Sequence, residues 1–164
     1  MLTGWFSGTA NFGGGDLEAE GTSAGFLVKL GADGSHKWSR ASGGTAPLMG
    51  WRVSTYGAES ILWSGSLGFG TADMGGPSFT NADDMSFGYA VLAGFDASGA
   101  HHFSMGFDGV SPRGGMALMP DGQILFAGPL VGSVYFPVHG GTVTSVGYPN
   151  SWEPDILLAT LAPP

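Results

Sequence analysis

The sequence predicts an all-β fold made of many short strands joined by tight turns. Its 164 residues include 31 Gly and 10 Pro, yet 43% of them are hydrophobic and 12% are aromatic. This many Gly and Pro residues disfavour helices, and this much apolar content disfavours disorder. The longest segment without Gly or Pro is the ten residues from Ser78 to Phe87. We therefore expect strands and little or no helix.

A sequence repeat with a period near 65 residues organises the chain. Segment 26–38 aligns with segment 91–103 at a constant offset of 65 residues. The same offset relates three further pairs, namely Gly44 and Gly109, Pro47 and Pro112, and Gly50 and Gly115. A second landmark at Gly4 recurs at Gly65 and at Gly128. A period of this length indicates a repeat architecture rather than one irregular domain.

Each repeat is predicted to contain four strands, named a to d in chain order. The predicted strands are a at 51–55 and 116–119, b at 61–66 and 124–127, c at 26–30, 91–95 and 156–161, and d at 36–40 and 101–105. In strand c, Leu157 takes the place of Phe26 in the third copy. Asp and Gly punctuate the c–d and a–b turns, as is typical of hairpins. Meanders of four strands repeated in this way are typical of β-propeller blades.

We predict one β-propeller-like domain over residues 1–164, with repeats at approximately 1–50, 51–115 and 116–164. The strand order b, c, d, then a, b, c, d, then a, b, c leaves three strands in the first and last blades. Open blades expose backbone that pairs with other strands. We therefore expect the chain to belong to a larger ring with further N-terminal blades, or to form a homo-oligomer.

The motifs of the first repeat resemble a known family. They are Gly4-x-Phe6-x-Gly8-Thr9, Phe12 with Gly13-Gly14-Gly15, Gly25 to Leu30, Asp33-Gly34, Trp38-Ser39 and Gly43-Gly44. This pattern resembles the bacterial β-propeller repeats called SBBP, over nearly the whole chain. It is weakest in the third repeat, where Pro137 stands in place of a Gly run. The resemblance implies an extracytoplasmic, secreted or surface protein without family-wide catalytic residues.

Composition also excludes several classes of function. With 13 acidic and 5 basic residues the formal charge is −8, which disfavours binding to nucleic acid or to anionic lipid. The absence of Cys excludes disulfides, thiolate metal sites and a Cys nucleophile. No apolar run approaches the length of a membrane span, and segment 1–6 lacks the basic region of an export signal.

No catalytic or metal site is predicted. Ser23 lies in a G-x-S-x-G match, but a nucleophile elbow needs a helix after the Ser, and a strand is predicted there. His36 and His101 occupy equivalent positions two residues before Trp38 and Phe103, which indicates a structural role. We expect these two aromatic side chains to be buried in the blades. His102 and His139 have no paired ligand in the sequence.

Two glycine runs, Gly13 to Gly15 and Gly75-Gly76, lack the Lys of a phosphate loop. They are predicted to form turns with positive φ.

The candidate binding residues lie where the chain departs from the repeat, between strands b and c. Asp83 and Asp84 offer carboxylate oxygens for Ca²⁺, and no other cofactor is expected. The alternative for this segment is a solvated loop. Tyr148, Trp152 and Glu153 form an aromatic and acidic stretch that suits a glycan or a peptide. Equivalent connections would place both segments on one face of a ring.

These observations predict a non-catalytic binding or scaffold module of an exported or surface bacterial protein, with a glycan or protein partner. Two alternatives stay open. One is a structural subunit of an extracellular filament or shell, built by edge pairing. The other is a propeller-type hydrolase or lyase with its site in a central channel.

Overall fold

A computed structural model describes residues 1–57, 60–82, 89–108, 114–130, 133–136, 141–144 and 155–161. The predicted all-β fold is confirmed, because strands make up more than half of the chain and the described residues contain no helix. No helix in the described segments is long and apolar enough to cross a membrane.

In chain order the strands are β1 (Leu2–Phe6), β2 (Thr9–Asn11), β3 (Asp16–Glu18), β4 (Ala24–Leu30), β5 (His36–Ala41), β6 (Gly43–Gly44), β7 (Leu48–Tyr56), β8 (Ser60–Leu67), β9 (Gly70–Asp73), β10 (Phe79–Asn81), β11 (Tyr89–Phe95), β12 (His101–Asp108), β13 (Gly115–Leu118), β14 (Ile124–Leu130), β15 (Ser133–Phe136), β16 (Gly141–Thr144) and β17 (Asp155–Leu161).

Three larger antiparallel sheets contain the strands that the repeat predicts. The first sheet has the order β1-β4-β5, the second β12-β11-β8-β7 and the third β13-β14-β17. These orders correspond to strands b, c, d, then d, c, b, a, then a, b, c. Strand β7 begins at Leu48, so the expected boundary between residues 50 and 51 falls inside a strand. Among the described residues the strands form several separate sheets and close neither a barrel nor a propeller, so the propeller arrangement stays a prediction.

The pairing register repeats from sheet to sheet. Strands b and c place the recurrent glycine opposite the recurrent strand-c residue in all three sheets, as Gly4 with Phe26, Gly65 with Val91, and Gly128 with Leu157. Strands c and d pair Lys29 with Trp38 and Gly94 with Phe103. In both c–d pairs the register shifts immediately before the turn. The structural repeat therefore follows the sequence repeat in these strands.

Strand a departs from the predicted alignment. Gly50 pairs with Gly65, beside a register shift between Gly50 and Arg52. Gly115 instead pairs with Ala127, one residue before Gly128. The assignment of Gly115 as the counterpart of Gly50 is therefore wrong. The physical reason lies in β7, where the register shift between Gly50 and Arg52 means that a constant sequence offset does not preserve the pairing with strand b.

Seven short strands were not predicted. They form three small sheets of order β2-β3, β10-β9-β6 and β15-β16. Except for β6, they lie in the b–c connections, where the sequence predicts loops. Strands of two to four residues are too short for an alternating apolar pattern to be visible.

The hydrophobic core lies on both faces of the second sheet. Strand β8 directs Trp63, which is fully buried, into a cluster with Leu27 of the first sheet and Leu48 at the start of β7. On the opposite face, Leu62 packs in a cluster with Ile124 of the third sheet. Successive side chains of β8 point to opposite faces of the second sheet, so one strand packs against both neighbouring sheets. We call the two contacts the first junction and the second junction.

Trp38 and Phe103, which were expected to be buried, are only partly buried. The prediction of full burial is wrong. Both lie on a strand at the edge of its sheet, β5 and β12, and edge strands have a neighbouring strand on one side only. Each aromatic ring packs against a core cluster with part of its surface and leaves the rest accessible.

Candidate functional site

The five residues predicted to bind a ligand lie outside the described residues. They are Asp83, Asp84, Tyr148, Trp152 and Glu153. Their neighbour Asn81 is buried in β10, and its side-chain amide donates to the Leu67 carbonyl at 3.3 Å. The predicted calcium and glycan sites therefore remain predictions.

Ser23 does not lie in a nucleophile elbow. It is buried and comes directly before β4, which begins at Ala24. Its carbonyl accepts a hydrogen bond from the backbone N–H of Leu48 at 3.4 Å. A strand thus follows the Ser where an elbow requires a helix.

The two repeat histidines each support a glycine turn. His36 Nε2 lies 3.1 Å from Ser39 Oγ, and His101 Nε2 lies 2.5 Å from Ser104 Oγ. A Cβ added at Gly14 would collide with the His36 ring, and one at Gly76 with the His101 ring. Each imidazole ring therefore packs closely against the backbone of a glycine turn.

Positive φ angles in both runs confirm the predicted turns, with 101° at Gly13 and 94° at Gly75. Burial lowers the pKa of His101, with further lowering from the charges of Arg40 and His102. The neutral form of this imidazole is therefore favoured.

A groove lies at the second junction. It has a volume of about 590 Å³, within the range of about 300 to 1,000 Å³ that is typical of ligand pockets. Its lining comes from the second sheet and from the β13–β14 hairpin: Tyr56, Ser60, Ile61, Leu62, Gly94, Phe95, His102, Phe103, Leu118, Met119, Pro120, Asp121 and Gly122.

The groove combines an apolar floor with a polar rim. Leu62 is buried at its base, and Phe103 and Leu118 pack beside it as partly buried side chains. Tyr56 is 46% exposed at the rim, and the His102 side chain is 61% exposed. An apolar base with a few polar groups at the mouth is the usual composition of a binding pocket.

The first junction shows what occupies the equivalent position between the first and second sheets. There the c–d turn of the second sheet, residues 96–100, lies against the first sheet. The Ala97 carbonyl accepts hydrogen bonds from Lys29 Nζ at 2.7 Å and from Trp38 Nε1 at 3.0 Å. A Cβ added at Gly99 would lie 3.0 Å from the Trp38 indole. The turn is thus held by two side-chain donors and by close backbone contact.

At the second junction the equivalent positions line the groove. The repeat aligns Gly94 with Lys29 and Phe103 with Trp38, and the strand register agrees. Neither Gly94 nor Phe103 has a side-chain hydrogen-bond donor. We call the surface at these two positions the seat, formed by Lys29 and Trp38 at the first junction and by Gly94 and Phe103 at the second. The second seat is apolar, and among the described residues no turn contacts it.

Carboxylates flank the groove. Hydrogen bonds from the Ser98 side chain and from the backbone of Ala100 and Ser98 lower the pKa of Asp96 to about 2, with a smaller contribution from His102. His102 Nε2 lies 3.8 Å from Asp96. Asp121 lines the groove and is exposed. The mouth of the groove is therefore acidic at neutral pH.

Sequence reasoning placed the binding residues at the other end of the sheets. The groove lies beside the a–b and c–d turns, because its residues Tyr56 and Ser60 pair across one turn and Phe95 ends at another. The predicted residues belong to the b–c connections. The available signal was the exchange of Lys29 for Gly94 and of Trp38 for Phe103 in the repeat alignment.

Comparison with known proteins gives no match to a family model, a curated protein or a solved structure. The resemblance to SBBP repeats therefore stays a prediction. Among the described residues, no group of three or more His, Asp or Glu side chains is placed to hold a metal ion.

Proposed function

We propose that this chain is a non-catalytic binding module of β-propeller type, which holds a polypeptide loop of a protein partner in the groove at the second junction. The observation that carries the proposal is the first junction, where the equivalent seat holds a polypeptide turn through Ala97. A surface that repeats the shape of a turn-binding seat suits another turn. The exported or surface location implied by the family resemblance is part of this proposal.

The composition of the floor favours a polypeptide over a glycan. Leu62, Phe103 and Leu118 offer apolar surface, and sugar hydroxyls placed there would lose water without gaining hydrogen bonds. A loop can place an apolar side chain on the floor and keep its polar backbone at the rim. Apolar contact would then supply most of the binding free energy.

Two features support a radial arrangement of the sheets. The first is the common b–c register of the three sheets. The second is that the second sheet packs its two faces against different neighbours. Blades that follow one another around an axis share these features.

The experiment compares two classes of ligand on the same protein. A library of backbone-cyclised hairpin peptides and a glycan array are screened against the wild-type chain and two variants. Ser60→Arg places a long side chain on the groove rim, where Ser60 is exposed. Ser78→Arg makes the same change at an exposed position between β9 and β10, away from the groove.

We expect hairpins to bind wild type and Ser78→Arg, and to bind Ser60→Arg at least about tenfold more weakly. Binding of glycans without binding of any hairpin would contradict the proposal. Hairpin binding that Ser60→Arg leaves unchanged would move the site away from the groove.

A further inference from the structure

The two junctions differ in two side chains, because Gly94 replaces Lys29 and Phe103 replaces Trp38. This difference changes the kind of group that each junction can bind. At the first junction, Lys29 Nζ and Trp38 Nε1 both donate to one backbone carbonyl, that of Ala97. A carbonyl with two donors, one of them charged, is a strong contact. The first seat thus recognises the backbone of a turn and not a side chain, since alanine has only a methyl group there.

At the second junction a carbonyl in the same place would have no such donors. Gly94 is buried in β11, and a Cβ added to it would collide with the Phe103 ring. The ring therefore covers the position that Lys29 has in the first sheet. A carbonyl on this surface would lose its water without a replacement donor from these two residues. An apolar side chain would instead contact Phe103, Leu62 and Leu118.

Charge adds a second restriction. Asp121 lines the groove, and Asp96 lies beside it next to His102. The whole chain carries a formal charge of −8. A partner with basic residues at the mouth of the groove would be attracted, and an acidic partner would be repelled.

We infer that the groove selects a partner turn by an apolar side chain at the tip, flanked by Lys or Arg, and not by the backbone carbonyl that the first junction binds. This inference rests on the proposed function and specifies its partner. The occupant is a tight turn of a basic protein surface with Leu, Met or Phe at its tip.

The test uses backbone-cyclised hairpin peptides with the turn Lys-Leu-Gly-Lys and two otherwise identical peptides with Ala or Asp in place of Leu. Isothermal titration calorimetry measures their binding to the full chain. We expect the Leu peptide to bind at least about tenfold more tightly than the Ala peptide, because it buries more apolar surface. The Asp peptide should bind more weakly than both.

Two variants link the preference to the groove. Phe103→Trp introduces an indole N–H and fills part of the groove, as Trp38 does at the first junction. It should lower the affinity for the Leu peptide and raise the affinity for the Ala peptide, so that the ratio of the two affinities falls by about tenfold. Trp38→Phe is the matched control at the first junction and should leave both affinities unchanged. Thermal unfolding confirms that each variant is folded.

The outcomes distinguish failure of the tip preference from failure of the proposed polypeptide site. Equal binding of the Leu and Ala peptides would overturn the tip preference and leave the proposed polypeptide site standing. An unchanged preference in Phe103→Trp would also overturn it. Failure of all three peptides to bind would overturn both the preference and the proposed function.

Discussion

The two junctions of the second sheet share their backbone geometry and differ in their side chains. Strand c pairs with strand d in the same register at both, with Lys29 opposite Trp38 and Gly94 opposite Phe103. The first junction holds a turn with two donors, while the second presents an apolar groove. A repeat can thus keep the same backbone register at two junctions while two side-chain differences change the surface that each junction presents.

The largest expected effect concerns the core that the first junction shares with β8. Trp63 is fully buried, so Trp63→Ala should lower the free energy of unfolding by about 3 to 5 kcal/mol. Phe69→Ala is the matched aromatic control, because Phe69 is 59% exposed, and it should change stability by less than about 0.5 kcal/mol. Denaturant titration measures both, and equal losses would contradict the packing of the first junction.

A smaller effect on stability distinguishes the turn at 96–100, which contacts Trp38, from the equivalent turn at Gly34. Gly99 and Gly34 occupy equivalent turn positions with φ of 85° and 81°. Replacing either by Ala should cost about 1 to 2 kcal/mol, because a Cβ disfavours positive φ. A Cβ at Gly99 would also crowd Trp38, whereas one at Gly34 meets nothing within 4 Å. Gly99→Ala should therefore unfold at lower denaturant concentration than Gly34→Ala, and the reverse order would show that the turn is not seated on Trp38.

The hydrogen bond from Trp38 to Ala97 gives a further prediction. Trp38→Phe keeps a ring on the first sheet and removes the indole donor. Since Lys29 still donates to the same carbonyl, the loss of stability should be about 1 kcal/mol. The same denaturant titration measures it. Lys29→Met removes the other donor. The double variant Lys29→Met, Trp38→Phe should lose more free energy of unfolding than the sum of the two single variants, and strict additivity would count against a shared acceptor.

The smallest expected effect is a pH dependence in the seated turn. Asp96 accepts hydrogen bonds from Ser98 and Ala100, and its pKa lies at about 2. A lowered pKa in the folded state stabilises the fold above the unfolded value of about 4, and this contribution is lost as the pH falls towards 2. Asp33 in the first sheet's turn accepts hydrogen bonds from the side chain and the backbone of Ser35, and these bonds also lower its pKa.

Carboxyl NMR titration between pH 5 and pH 1.5 measures both groups. We expect Asp96 to titrate below Asp33. The Asp96→Asn variant should lose the part of the acid destabilisation that depends on this carboxylate. Titration of Asp96 near pH 4 would show that the turn is not closed around it.

The sequence predicted the larger sheets well because their strands are long enough for an apolar pattern and for repeat alignment. The recurrence of Gly4 at Gly65 and Gly128 anticipated the b–c register in all three sheets. The small sheets were missed because strands such as β2 and β9 carry almost no pattern. Strand a was misaligned at Gly115 because an irregularity in a strand is invisible until its partner is known.

The candidate site could not be predicted in the same way. Polar residues that interrupt the repeat lie in the b–c connections, and they pointed to residues such as Asp83 and Trp152. The groove arises instead inside the repeat, where apolar Phe103 replaces Trp38 and Gly94 replaces Lys29. The meaning of that exchange depends on the turn that faces Trp38 from the next sheet, a contact between residues 59 positions apart in the chain.

The most direct test of the groove is chemical-shift mapping of the ¹⁵N-labelled chain during titration with the Lys-Leu-Gly-Lys hairpin. The largest backbone shifts should lie at Phe95, at Phe103 and in the β13–β14 turn from Leu118 to Gly122, and they should saturate together. Shifts concentrated in residues 70–82 would place binding at the b–c end of the sheets. That result would contradict the groove as the binding site of this protein.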